Sequence, residues 1–312
     1  MKIIDFENKH AEAARIIASD NYEEERSAVA ALPKIAELPK LYDFAETGRG
    51  YAATDGNDLV GFFCWLEPFA NHNGLCRGAW SPLHAHGAIK RERAEIYRRL
   101  YRRAAEKLVS SNVFSHSVTL YSNDVSANEC FMNNGFGRRC VDAMRETAPI
   151  ETEVCKNISY REAAKCDALF INAAENKAGV HLSKSPVFIP YSTDSVENTE
   201  QKIDGGMYRY FLASEHNQPA AYIKTKKSGE TFAAEDDTVM NICGAFVLEE
   251  FRNFGVASGL LSWLTDWLRG RGYPRCGVDY ECFNHAGNMF WSKYFAPYAN
   301  GMTRRVDERI NA

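Results

Sequence analysis

The sequence has no Cys-x-x-Cys pair. Its nine cysteines are an odd number, scattered along the chain. That argues against a disulfide framework and for reduced thiols in a cytoplasmic setting. Long hydrophobic runs are missing too. The longest, Leu59–Leu66, falls far short of the roughly 20 residues that span a bilayer, so no membrane partner is expected. Met1–His10 lacks the charged start and apolar centre of a signal peptide. Basic excess is absent, with 37 Lys and Arg against 41 Asp and Glu and a formal charge of −4. A nucleic-acid partner is therefore disfavoured. Neither a Gly-Lys-Ser/Thr phosphate loop nor a Gly-x-Gly-x-x-Gly fingerprint occurs.

What is present is an ordinary soluble composition, 45% hydrophobic and 25% charged over 312 residues, long enough for two domains. The most informative stretch runs from Ile242 to Gly272. It reads as a strand over 242–247, a tight loop over 252–257 and a helix over about 256–269. Ala257, Leu260, Leu261, Leu264, Trp267 and Leu268 recur at three- and four-residue steps and form one apolar stripe. Arg269, Gly270, Arg271, Gly272 and Pro274 then bring cations to the negative end and stop the helix. A loop turning from strand to helix aims unpaired N–H groups at one point, backed by the helix dipole. Such a point binds phosphate oxygens where small residues let a ligand approach. Gly255 and Ala257 are small, and Arg252 adds charge.

The spacing Val247-x-x-x-x-Arg252-x-x-Gly255-x-Ala257 resembles the (Arg/Gln)-x-x-Gly-x-(Gly/Ala) acyl-CoA loop of the GNAT N-acetyltransferase superfamily. Further on, Cys276–Glu281 reads as a strand. Asn284 followed by Phe290-Trp291-Ser292-Lys293 is similar to that family's Asn-x-x-Ala-x-x-Leu-Tyr-x-Lys pattern. The resemblance covers the C-terminal half well and the N-terminal half weakly. It implies an α/β fold with a twisted mixed sheet flanked by helices, two strands splaying apart around a pantetheine arm, and acetyl-CoA as co-substrate. On that reading Ala245, Phe246 and Val247 bind the arm as an added strand would, with the Val247 N–H polarising the thioester carbonyl. The diphosphate meets Arg252, Asn253, Phe254, Gly255, Val256, Ala257 and Ser258, and Asn284 holds the far side of the arm. Asparagine at that position is equally suited to cap a helix.

The first half reads as strand, helix, a hairpin through Asp55-Gly56-Asn57-Asp58, strand, helix, strand and helix, an order that returns after residue 155. Aligning Gly135 with Phe295 pairs Val118 with Val278, Asp124 with Asn284 and Phe131 with Trp291. Two tandem GNAT-like domains follow, 1–148 and 155–312, joined by a linker over Ala143–Lys156. The same alignment puts Ala85, Ala88 and Lys90 where Arg252, Gly255 and Ala257 stand, which makes the first copy degenerate. His84 and His86 find no third metal ligand, and buried or loop histidines are the expectation. The basic run from Lys90 to Arg103 is broken by glutamates and reads as a solvated helix face.

The irregular stretch Val180–Gly206 suggests a binding loop, with His181, Phe188 and Tyr191 as acceptor-side walls. Direct transfer to an amine needs a neutral nucleophile. A lysine-type amine is neutral in only roughly one molecule in 2,500 at pH 7, so a base is expected. Asp279 and Glu281 share one strand face, and Glu281 is the candidate. The family's thiolate-protonating tyrosine is replaced by Trp291, whose indole cannot serve as that acid. Tyr294, one turn on, is the substitute candidate. The implied activity is N-acetyl transfer from acetyl-CoA to a primary amine of a small molecule or peptide. A non-catalytic acyl-CoA sensor and a transferase using a longer acyl-CoA are the alternatives.

Overall fold

In the computed structural model, which describes residues 1–152 and 157–311, the chain folds as two compact units. Unit 1 comprises Met1–Asp142 and Pro297–Ala312, and unit 2 comprises Ala143–Ala296. The expected division at 148 and 155 differs from this at the C-terminus. Residues 153–156 of the expected linker lie outside the described residues, while its first part continues a strand.

Unit 1 opens with β1 (Lys2–Asp5), α1 (Ala11–Ala28) and the short α2 (Tyr42–Glu46). The hairpin β2 (Gly50–Asp55) and β3 (Asp58–Cys64) turns at Gly56, whose φ of 61° suits a residue without Cβ. Then come β4 (Gly78–Ser81), β5 (His86–Ala88), α3 (Arg93–Ser110), β6 (Ser115–Tyr121), α4 (Val125–Asn133) and β7 (Gly137–Glu146). One sheet has the order β1-β2-β3-β5 and is antiparallel throughout. β4 lies parallel to β6. The strand formed by the chain's last residues, β13 (Ala296–Arg305), runs antiparallel to β6 from Ala299↔Tyr121 to Arg305↔Ser115. Thr303 Oγ1 meets Ser117 Oγ at 2.9 Å, and Asn300 Nδ2 donates to Asn128 Oδ1 at 2.9 Å. These pairings are why residues 297–312 belong to unit 1.

α3 buries Ile96, Tyr97, Leu100, Tyr101, Ala104 and Leu108, six positions of the 3.6-residue period. They meet Phe63, Phe131 and Phe136 in an aromatic core, with Tyr101 and Phe136 centroids 5.0 Å apart and edge-on. Arg98, Arg99, Arg102 and Arg103 of α3 stay outside, Arg98 and Arg99 bonded to Glu95. His86 is a satisfied core histidine, with Nδ1 3.0 Å from Tyr97 Oη and Nε2 2.7 Å from the Thr119 carbonyl. Burial pulls its pKa down to about 4.

Unit 2 repeats the order: β8 (Ile158–Glu162), α5 (Ala168–Ser183), α6 (Val196–Asp204), β9 (Tyr208–Glu215), β10 (Gln218–Lys226), β11 (Val239–Val247), α7 (Val256–Gly270), β12 (Arg275–Glu281) and α8 (His285–Tyr294). Its strands stand in the order β12-β11-β10-β9-β8. β11 is antiparallel to β10 and parallel to β12, so the sheet is mixed. α7 packs Val256, Leu260, Leu261, Leu264 and Leu268 against the sheet, each leucine contributing about 2 kcal/mol of burial. Trp267 is half-buried, its ring capped by the Arg271 guanidinium 3.5 Å away. On the opposite face α5 sets Ile171 and Ala174 against Tyr210, Leu212 and Tyr222.

Candidate functional site: a fork in the sheet of unit 2

β11 and β12 pair only from Val239↔Arg275 to Ile242↔Val278. Beyond that point β11 continues to Val247 and β12 to Glu281. The cause lies in β11 itself. Its register with β10 steps from Lys224↔Gly244 to Thr225↔Ile242, leaving Cys243 as the extra residue of a β-bulge. Bulges bend a strand and sharpen its twist, which turns β11 away from β12 here.

The ladder decides which peptide groups the fork exposes. Leu248 N–H donates to the Ala220 carbonyl at 2.9 Å, and Val247 stands opposite Ala221. Antiparallel pairing alternates inward and outward groups, so Phe246 and Gly244 bond toward β10. The peptide groups of Ala245 and Val247 point into the fork instead. A one-turn 3₁₀ segment over Glu249–Phe251 then swings the chain toward α7. Arg252 Nε donates to the Val247 carbonyl at 3.1 Å, and its guanidinium lies 5.2 Å from the Phe246 ring centroid. Gly255 holds φ at 77°, and α7 starts behind it without a side-chain cap. Its first helical bond is Gly259 N–H to the Gly255 carbonyl at 2.9 Å, so the N–H groups of Val256, Ala257 and Ser258 face outward. Asn253, at φ 67°, and the exposed Phe254 complete the turn. Of the sequence-derived residues, Ala245–Val247 and Arg252–Ser258 come together here.

The others are placed differently. Asn284 caps α8, its Oδ1 accepting from Gly287 N–H at 3.4 Å. Tyr294 packs edge-on to Phe290 at 5.2 Å, with Lys293 Nζ 5.1 Å over its ring. Trp291 is buried between Phe290 and Phe295. His181 sits in the last turn of α5. Phe188 stands exposed at φ 52°, and Tyr191 leans on Gly179, where a Cβ would collide with its ring.

Sequence reasoning missed the polar lining of the α5 face. A Cβ on Gly277 would run into Asn241 Oδ1, so residue 277 of β12 faces the same side as Asn241. Two residues on, Asp279 faces that side as well. Asn241 pairs with Lys226, and Lys224, two before it, reaches α5 to bond Glu175 Oε1 at 2.9 Å. Tyr210 Oη donates to the same oxygen at 3.2 Å, and Lys224 Nζ lies 4.3 Å from the Tyr208 ring centroid. Asp279 keeps solvent access, yet the atoms crowding it push its carboxyl up to about 6; Glu230 adds to this and Lys226 opposes it. Burial raises the Cys243 thiol to about 11, so it stays protonated. The lysines at alternate positions of β10 were the available signal: Tyr222-x-Lys224-x-Lys226 puts charge on a half-buried strand face. No cluster of metal-ligating side chains occurs among the described residues, and none of their helices is long and apolar enough to cross a membrane.

The sheet of unit 2 thus forks beside a strand–loop–helix whose first helical amides face outward. The sequence profile of the acetyltransferase (GNAT) family matches residues 178–293, from inside α5 to the last turn of α8. The chain therefore carries a domain of the acetyltransferase (GNAT) family. Among solved structures, the GCN5-related N-acetyltransferase from Sphaerobacter thermophilus is similar, with TM-score 0.56 and 11% identity over 97% of this chain and 95% of that one. An acetyltransferase from the GNAT family of Colwellia psychrerythraea gives TM-score 0.50 and 14% identity over 98% of this chain and 100% of that one. At such identities the likeness is one of fold. No protein of curated function matches the sequence.

Proposed function

We propose that unit 2 transfers an acetyl group from acetyl-CoA to a primary amine of a small molecule or peptide. The observation that carries this reading is the fork: five residues of β11 run past the last β12 partner and deliver the chain to a left-handed Gly255 at the head of α7. The residues fit the co-substrate. Outward amides of Val256–Ser258 suit a diphosphate, and the peptide groups of Ala245 and Val247 suit the amides of a pantetheine arm. Asn284 borders the other prong. Bound there, acetyl-CoA supplies an activated thioester; the remaining chemistry belongs to the chain. The Val247 N–H stabilises charge growing on the acyl oxygen.

A base must take the ammonium proton. Glu281 was the sequence candidate, and Asp279 two residues before it is the stronger one. With a pKa near 6 it is ionised at neutral pH and closer to the proton's source than an ordinary aspartate. Tyr294 remains the candidate acid, packed among aromatics. A CoA thiol with an ordinary pKa near 8.5 leaves without much help. His181, Phe188 and Tyr191 are proposed as outer walls for the acceptor, and a cytoplasmic location fits the reduced cysteines.

The test is Gly255→Glu, which sets a carboxylate where the diphosphate belongs. Acetyl-CoA binding measured by calorimetry should disappear, and unchanged affinity would refute the site. Release of CoA in the presence of an amine panel separates an enzyme from the second reading, a non-catalytic acyl-CoA sensor, which Trp291 in the usual tyrosine position favours.

A further inference from the structure

In unit 1 the fork is closed and a different recess lies beside it. Ala88, at the end of β5, has both peptide groups engaged by α1: its N–H donates to Asn21 Oδ1 at 3.1 Å and its carbonyl accepts from Asn21 Nδ2 at 3.1 Å. Arg93 Nε donates to that carbonyl as well, at 3.1 Å. The Arg93 guanidinium also binds Glu24 Oε2 at 2.8 Å, Glu24 Oε1 at 3.0 Å and Asp124 Oδ2 at 3.2 Å. One buried cation thus serves two carboxylates.

A third carboxylate has no such partner. Glu25 is 2% exposed, accepts from Asn123 N–H at 3.1 Å and Asn123 Nδ2 at 2.8 Å, and makes no ion pair among the described residues. Burial drives its pKa to about 7, with Asp124 adding to the rise. Near it stands Tyr121, 5% exposed, whose hydroxyl has no hydrogen-bond partner among the described residues. Both side chains line a recess of about 550 Å³, together with Glu24, Lys90, Arg93 and Asp124. That size suits a small ligand.

A buried carboxylate without a counter-ion is costly, and the Tyr121 hydroxyl is free to take a partner from the recess. Both face the same open space. We infer that this recess binds a small molecule carrying a primary ammonium group, its charge on Glu25 and a second polar group on Tyr121. A metal ion is a poor occupant, because Arg93 already holds the other two carboxylates. The site is independent of acetyl transfer in unit 2.

The experiment titrates the whole protein with 1,4-diaminobutane by calorimetry, without acetyl-CoA, and follows the Asn123 amide by NMR. We expect saturable binding that shifts the Asn123 signal. Affinity should fall about tenfold or more in Glu25→Gln and about two- to tenfold in Tyr121→Phe. Tyr121→Phe removes a single oxygen and keeps the test valid if Glu25→Gln fails to fold. Asp279→Asn, which alters the amine-facing carboxylate of unit 2, should leave this binding in place. The inference is overturned if the diamine does not bind at about 10 mM. It is equally overturned if Tyr121→Phe leaves affinity and the Asn123 shift unchanged, or if Asp279→Asn alone abolishes binding.

Discussion

The two units build the same corner from different lengths of chain. In unit 2, Leu248 to Phe254 separate the end of β11 from the glycine that caps α7. In unit 1, only Ile89, Lys90 and Arg91 separate the end of β5 from Glu92, which caps α3. Both caps are left-handed, φ 77° at Gly255 and 57° at Glu92, and they are the matching positions. The expected pairing of Ala88 with Gly255 was therefore displaced by four residues; Ala88 matches Val247 instead. Ala94, two past the cap, keeps the small residue that the displaced alignment had lost to Lys90. What unit 1 lacks is the length of loop that could wrap a diphosphate. It also engages the strand-end N–H with a side chain, Asn21 on Ala88, whereas in unit 2 the side chain of Arg252 meets only the Val247 carbonyl. A strand–loop–helix becomes a ligand site through the residues between strand and cap, more than through the cap itself.

This contrast can be broken in graded ways. The largest effect is expected from the caps. Gly255→Glu should eliminate acetyl-CoA binding, while the reciprocal Glu92→Gly should create none, because the short loop remains. Heat of binding in the two variants checks both halves. Asp279→Asn should lower kcat/KM for the amine by about 10²–10⁴-fold and leave acetyl-CoA affinity intact. In the unaltered protein kcat/KM should rise with pH through about 6, the value to which Asp279 is raised, and the variant should lose that limb. The same shift has a stability sign. A carboxylate raised in the folded state binds more protons there than when unfolded. Its contribution therefore falls as pH climbs from the ordinary aspartate value near 3.9 to about 6, and denaturant midpoints of Asp279→Asn should not show that slope.

Next in size is Arg93→Met, which strands Glu24 and Asp124 and should cost about 3–5 kcal/mol of unit 1 stability, read by urea unfolding. Acetyl-CoA affinity should not change. Smallest is Arg252→Ala. It removes a half-exposed charge and the bond to the Val247 carbonyl, an effect of about 1 kcal/mol, or roughly fivefold in acetyl-CoA affinity by calorimetry.

The readable parts were local. The period of Leu260, Leu261, Leu264 and Leu268, and a glycine before them, sufficed to place α7 and its loop. The alignment paired Asp124 with Asn284, and both side chains accept from the N–H three residues on, as helix caps do. The loop register of unit 1 was not readable, because glutamate in a left-handed cap gives no local cue. Nor was the α5 face: Glu175 and Lys224 lie 49 residues apart, and only the packed helix brings them together. The partner of β13 was hidden for a related reason. Its local pattern suits either sheet, and the choice of β6 rests on contacts such as Asn300 with Asn128.

That choice has a consequence for synthesis. As the polypeptide leaves the ribosome, β6 emerges long before the strand that will cover its edge. The amino-terminal half must wait, incompletely hydrogen-bonded, until residues 299–305 have been made. A released chain truncated after residue 296 should then present a protease-sensitive first half beside a resistant second one.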